Sequence, residues 1–172
     1  ADLIITVPGN LVVAGPGLLQ KAKQQKGKST YHWKTTYTIN NYNILFNVAD
    51  YAVVKRTYTT IAGNKVPMEF YVLSYHKQLA EHHLDLLEKM VRVQEKYFGE
   101  YPWRKEKIAI AETSHLGMEH QTMNAYGNKF RYSRVGGEDF DWLMYHELGH
   151  EWWGNKVTAA DWADMWIQEG IC

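Results

Sequence analysis

Three features of the 172-residue sequence predict an α+β fold. Apolar side chains alternate with a two-residue period over residues 31–39 and β-rich runs follow to residue 75, helical stripes replace them from residue 76 onward, and charge segregates at the same point. Residues 1–75 carry 8 Lys and Arg against 3 Asp and Glu, a net of +5, whereas residues 76–172 carry 11 against 16, a net of −5. A change of period that coincides with a change of charge marks an expected domain or subdomain boundary after Tyr75.

The elements follow in order. Residues 14–29 hold Gly15, Pro16, Gly17 and Gly27 among Lys21, Lys23, Lys26 and Lys28, and read as a solvated basic loop. Tyr31, Trp33, Thr35, Tyr37 and Ile39 alternate with polar residues, as in a strand with one buried face, and Asn40 to Asn43 form a turn. Ile44 to Ala49, Tyr51 to Thr60 and Val66 to Tyr75 are further β-rich runs, with turn chemistry at Ala62-Gly63-Asn64-Lys65. A helix is expected from about Lys77 to Phe98. Ala80, Leu84, Leu87 and Val91 form its apolar stripe, Asp85–Lys89 and Glu88–Arg92 are possible ion pairs four apart, and Gly99 and Pro102 end it. Ile108 to Glu112 reads as a short buried strand. A second helix is expected over about Glu138 to Trp153, and a third from near Thr158, where Thr158 and Asp161 resemble a capping box.

Composition excludes several classes. Charged residues are 22% and hydrophobic residues 45% of the chain, so it has the apolar material for a core that disordered chains lack. Zero net charge gives no reason to expect nucleic acid or an anionic membrane as partner. No apolar run reaches the ~20 residues of a membrane-spanning helix. The one cysteine, Cys172, leaves the compartment open. With no signal peptide and no initiating Met, the chain is expected to be a mature or excised piece of something longer.

The chemistry concentrates on the second expected helix, at His146-Glu147-Leu148-Gly149-His150. Residues four apart on a helix share a face, so the two imidazoles can converge on one metal ion, and Glu147, one residue round, can address a water beside it. Glu169 follows on the third expected helix, at a separation that lets an antiparallel helix pair bring its carboxylate to the same ion. Two imidazoles and a carboxylate with one position open is the usual form of a catalytic zinc site, whereas structural sites favour Cys and close all four positions. With this composition an H-E-x-x-H arises by chance with a probability of about 0.03, and about 0.002 once a later Glu is prescribed. Gly149 points the same way, since glycine costs ~1 kcal/mol relative to alanine inside a helix.

His146 to Asn155, HELGHEWWGN, followed by Val157-Thr158 and by Trp166-Ile167-Gln168-Glu169-Gly170, resembles the aminopeptidase N-like family of gluzincin metallopeptidases. Leu116-Gly117-Met118-Glu119-His120 falls where that family has its exopeptidase motif, and Phe98-Gly99-Glu100-Tyr101-Pro102 is similar to its stretch after the first catalytic-domain helix. The resemblance implies that residues 1–75 end an N-terminal β-domain and that residues 76–172 are the first half of a thermolysin-like catalytic domain. It also implies a zinc-dependent aminopeptidase acting through a zinc-activated water on peptides with a free N-terminus. One zinc ion would be held by His146, His150 and Glu169. Glu147 would move the proton, Glu119 would bind the substrate's α-ammonium group, and Gly117 and Met118 would offer backbone and one pocket wall.

The motif departs from the family's at Leu116 and His120, where the family has Gly and Asn. The family's oxyanion-stabilising Tyr and its C-terminal helical domain would lie beyond Cys172, as the rest of a parent chain, and the isolated 172 residues are expected to be inactive. Neither Tyr126 nor Tyr132 has a motif that gives it that role. His32, His76, His82, His83 and His115 lack ligand spacing and read as exposed or hydrogen-bonded. Glu151 either orients an imidazole or is solvated. Two other readings stand beside the aminopeptidase: a thermolysin-like endopeptidase with the same zinc site, and a non-catalytic peptide-binding module that keeps the metal.

Overall fold

A computed structural model describes residues 1–172 and is mixed α+β. Strands β1 (Asp2–Pro8), β3 (Leu18–Gln25) and β4 (Lys28–Lys34) form an antiparallel sheet in the order β1-β4-β3, while β2 (Val12–Ala14) pairs with β5 (Asn47–Ala49). A five-stranded sheet contains β6 (Tyr51–Thr59), β7 (Lys65–Leu73), β8 (Ile108–Glu112), β9 (Gly117–Met118) and β10 (Asn124–Tyr126), in the order β6-β7-β8-β10-β9. Helix α1 (Ala80–Phe98) connects β7 to the parallel β8. The hairpin β11 (Ser133–Val135) and β12 (Glu138–Phe140) precedes α2 (Trp142–Gly149), and α3 (Trp166–Glu169) follows. No helix is long and apolar enough to cross a membrane.

The larger sheet is covered on both faces, which its sequence records as a period of two. Met68, Phe70 and Val72 of β7, with Ile108 and Ile110 of β8, pack into one core with Leu84, Leu87 and Val91 of α1 and Leu143, Met144 and Leu148 of α2. Tyr71, Ala109 and Ala111 point the other way, into a second core with Val7, Val13 and Trp33 of the N-terminal strands. Burial on both faces explains why all five residues of β8 are buried. The composition changes after residue 75, yet this sheet draws strands from both sides of that position. Lys107, fully buried just before β8, reinforces the attachment: its amine donates to the carbonyls of Gly15 and Gly17 and lies 4.4 Å over the Trp33 ring.

Several boundaries differ from the sequence expectation, each for a physical reason. Most of residues 14–29 is not loop but the exposed strand β3, which has no apolar alternation because neither face is buried; its lysines suit the edge of a sheet. The β3–β4 turn is made by Lys26 and Gly27, both at positive φ. β4 ends at Lys34 although the alternation runs on, because the backbone N–H groups of Thr36 and Tyr37 donate to the Glu106 carboxylate instead of to a neighbouring strand. The second helix begins four residues late, since Gly136 and Gly137 turn the β11–β12 hairpin and Asp141 then caps α2 by accepting from the Met144 N–H at 3.2 Å. The third begins at Trp166, after a 3-10 turn capped by Asp161; Thr158 instead donates its hydroxyl to the Gly154 carbonyl. Neither expected ion pair on α1 forms. Asp85 pairs with Arg56 of β6 at 2.6 Å, Lys89 with Glu138 at 2.5 Å, and Arg92 lies over the Tyr58 ring, because packed neighbours offer closer partners than the next helical turn.

His82 and His83 point in different directions from α1, as their 100° separation requires. His82 meets Asp139 at 3.0 Å in solvent, whereas His83 is fully buried against Phe70, Tyr126 and Phe130, with Nδ1 3.1 Å from the Tyr132 hydroxyl and Nε2 without a partner. Burial, with a smaller push from His82, drives the His83 pKa down from 6.5 to about 3. Between those values the unfolded chain binds a proton that the folded chain refuses, so this residue's contribution to stability is lost as pH falls from about 6.5 towards 3, by at most ~1.4 kcal/mol per pH unit. His83→Phe is expected to flatten the fall in melting temperature between pH 6.5 and 4.5. Parallel melting curves for variant and wild type would count against this origin of acid sensitivity.

Candidate metal centre

Helix α2 presents His146 in its last turn and His150 at its C-terminal cap. Their Nε2 atoms stand 3.2 Å apart, with ring planes at 82°. His150 is buried and its ring is oriented from behind: Nδ1 lies 2.9 Å from the Trp153 carbonyl, which assigns the proton to Nδ1 and leaves the Nε2 lone pair facing His146. Burial, followed by the neighbouring His150, lowers the His146 pKa and so favours the neutral imidazole that a metal requires. From α3, Glu169 Oε2 reaches to 3.7 Å from His146 Nε2 and 3.6 Å from His150 Nε2.

Three donors at these separations fit one zinc ion, because ligand atoms bound at about 2.0–2.1 Å in a tetrahedron stand about 3.3 Å apart. The absence of sulfur from the trio, and the exposure of Glu169 on one side, match an open site rather than a closed structural one. Glu147 belongs to the same cluster: its carboxylate and the two histidine nitrogens lie within 4.8 Å of one another. Burial first, then the charges of Glu119 and Glu169, push the Glu147 pKa up to about 8, into the range where a carboxyl group readily gains and loses a proton near neutrality.

Two glycines make this geometry possible. A Cβ on Gly117 would run into the Glu147 carboxylate and Leu143, so glycine lets β9, an edge strand of the large sheet, lie directly against α2. A Cβ on Gly149 would stand 3.1 Å from Cys172 Sγ and 3.4 Å from Gln94 Nε2, so glycine lets the segment beyond α3 pack closely over α2.

Met118 and Glu119 continue from β9 into a groove of about 660 Å³ that also contains Glu169, Trp162 and Met165. The structure therefore brings His146, His150, Glu169, Glu147, Gly117, Met118 and Glu119 to one side of the molecule. Glu151 neither orients an imidazole nor meets solvent. It is buried, accepting from Thr122 N at 2.8 Å, Trp103 Nε1 at 2.7 Å and Asn155 Nδ2 at 3.2 Å, and burial raises its pKa to about 7. Tyr126 donates its hydroxyl to Asp141 at 2.5 Å and Tyr132 contacts His83, so both phenols are engaged away from the site. His120 turns inward, with Nδ1 buried and unpartnered and its pKa driven down to about 4 by burial, while Leu116 is exposed. Sequence reasoning missed Tyr42, which lines the groove, and Asn43, which donates to Asn155 of the HELGHEWWGN run. Asn40 to Asn43 carries no periodic or motif signal beyond that of a turn.

Comparison with known proteins bears on the fold and the family. Residues 82–172 match the family model described as the peptidase family M1 domain. Aminopeptidase N of Escherichia coli is 27% identical over 155 residues, covering 86% of this chain and 18% of that protein. Endoplasmic reticulum aminopeptidase 1 of Mus musculus is 26% identical over 172 residues, covering 95% of this chain and again 18% of the relative. The chain thus spans about a fifth of the length of these curated relatives. The fold is shared with an M1 zinc metallopeptidase from Deinococcus radiodurans, at a TM-score of 0.74 and 23% identity over 99% of this chain and 37% of that one. It is shared also with aminopeptidase A of Legionella pneumophila in complex with aspartic acid, at a TM-score of 0.78 and 19% identity over 98% of this chain and 21% of that one. With the family match extending over the segment that carries both histidines, Glu147 and Glu169, the chain belongs to peptidase family M1.

Proposed function

We propose that this chain is the metal-holding and substrate-gripping part of a zinc-dependent aminopeptidase. The observation that carries the reading is the convergence of His146, His150 and Glu169 at 3.2–3.7 Å, with Glu147 in the same cluster and Glu119 in the adjoining groove. His146, His150 and Glu169 would hold one zinc ion. When bound, zinc polarises the scissile carbonyl and acidifies the attacking water. Glu147 would accept the proton lost by that water and deliver one to the departing amine. The outer edge of β9, at Gly117 and Met118, would offer backbone groups to an extended peptide. Glu119 would pair with the free α-ammonium group and so set the scissile bond one residue from the end.

The whole activity belongs to a longer protein in this reading. Trp162 and Trp166 are 87% and 65% exposed beside the groove, an apolar surface suited to cover by further chain, and the curated relatives are about five times as long. The isolated 172 residues are expected to hydrolyse peptides poorly or not at all. We read residues 1–75 as the end of an N-terminal β-domain, with β6 and β7 joined to the sheet of the catalytic domain.

Glu119→Ala in the full-length protein tests the exopeptidase role. Loss of one charge-assisted contact to the ammonium group is expected to lower kcat/KM on unblocked aminoacyl anilides about 10- to 100-fold. Unchanged hydrolysis would remove Glu119 from that role. Equal cleavage of blocked and unblocked substrates by the wild type would favour the endopeptidase.

A further inference from the structure

Residues 40–43 lie outside the segment matched by the family model and outside every sheet, yet the side chains of Asn40, Tyr42 and Asn43 end on the segment that follows α2. Asn43 is fully buried and donates Nδ2 to Asn155 Oδ1 at 2.6 Å. Asn155 passes the connection on: its own Nδ2 donates to the Glu119 carbonyl at 2.9 Å and to Glu151 Oε2 at 3.2 Å. Asn40 Nδ2 meets the Thr158 hydroxyl at 3.2 Å. A turn fastened on both sides of Tyr42 holds that ring in place at little further entropic cost on binding.

Tyr42 is 43% exposed and lines the groove shared by Met118, Glu119, Trp162, Met165 and Glu169, with its hydroxyl 3.4 Å from Asn155 Oδ1. Burial and then the Glu119 charge raise its pKa, so the phenol stays protonated beside that carboxylate. If Glu119 holds the α-ammonium group and the metal donors hold the scissile carbonyl, the first residue's side chain departs between two fixed points. The apolar surface available to it there includes Met118, Met165 and the Tyr42 ring.

We propose that Tyr42 is a specificity-determining residue whose ring forms, with Met118, a wall for the substrate's first side chain and favours large apolar or aromatic residues over small ones. The inference rests on the aminopeptidase reading and adds a substrate class to it. A ring deleted from an apolar pocket typically changes discrimination about 10-fold or more.

The test compares wild type, Tyr42→Phe and Tyr42→Ala in the full-length protein on phenylalanyl and glycyl anilides. In Tyr42→Ala the ratio of kcat/KM for phenylalanyl over glycyl substrate is expected to fall about 10-fold or more, chiefly through KM, whereas Tyr42→Phe keeps most of it. An unchanged ratio in Tyr42→Ala overturns the proposal, as does an equal fall in Tyr42→Phe, which would assign the effect to the hydroxyl. Tyr42→Leu replaces the alanine variant if the latter does not fold. Should the wild type hydrolyse neither anilide, the aminopeptidase reading fails, and calorimetric titration with phenylalaninamide and glycinamide still decides the role of Tyr42. A wild-type preference for phenylalaninamide that Tyr42→Ala abolishes upholds it; absence of preference or of binding overturns it.

Discussion

His146→Ala is expected to reduce bound zinc from about one ion to less than about 0.1 per chain, and to lower peptide hydrolysis in the full-length protein by more than about 10³-fold. Altering a residue that only supports a metal ligand typically costs 10- to 100-fold in affinity or activity, so removing one of three direct donors must cost more. The remaining pair, His150 Nε2 and Glu169 Oε2 at 3.6 Å, would form a two-donor site. His146 is the cleaner choice of the two histidines. Its ring is partly exposed, whereas His150 is buried and its loss would remove the imidazole donor to the Trp153 carbonyl as well as opening a cavity. Metal analysis of the folded proteins checks the first expectation and anilide hydrolysis the second. Equal zinc in variant and wild type would remove the metal assignment.

Glu147→Gln is expected to leave zinc content unchanged and to lower hydrolysis about 10²- to 10⁴-fold, the usual contribution of a positioned general base. Glutamine keeps the shape of the side chain, which matters because Gly117 packs directly against this carboxylate and a shorter residue would open a gap beneath β9. The pair of measurements separates roles: the His146 variant loses metal and activity together, and the Glu147 variant loses activity alone. Retention of more than about a tenth of the wild-type rate in Glu147→Gln would place the base elsewhere.

The sequence was most legible where a local pattern coincides with burial. β6, β7, β8 and α1 lie within a few residues of their expected places, because each presents a repeating apolar face to a core. β3 was illegible for the opposite reason. An exposed strand carries no alternation, and its pairing is decided by β4 alongside it. The start of α2 was blurred because Phe140 continues the helical stripe backwards into β12, where a pair of glycines and the Asp141 cap end the pattern. Glu151 stands one residue after His150 and still faces away from the candidate site, since its side chain turns into a buried shell of donors from Trp103, Thr122 and Asn155.

The sequence by itself determined that two imidazoles would share one face of a helix with a carboxylate beside them, because that relation is contained in the 3.6-residue period of a single element. It also marked Gly149 as a residue whose cost within a helix needed a reason. Tertiary structure decided how closely Glu169, already a candidate from its place in sequence, approaches both histidines, and it alone decided that Gly117 admits β9 against Glu147 and that Asn43 reaches Asn155 across 112 positions of sequence to hold Tyr42 at the groove. Such contacts join elements whose separation is set by how they pack over one another, and packing leaves its mark on sequence as volume and polarity at single positions, with no repeating period to betray it.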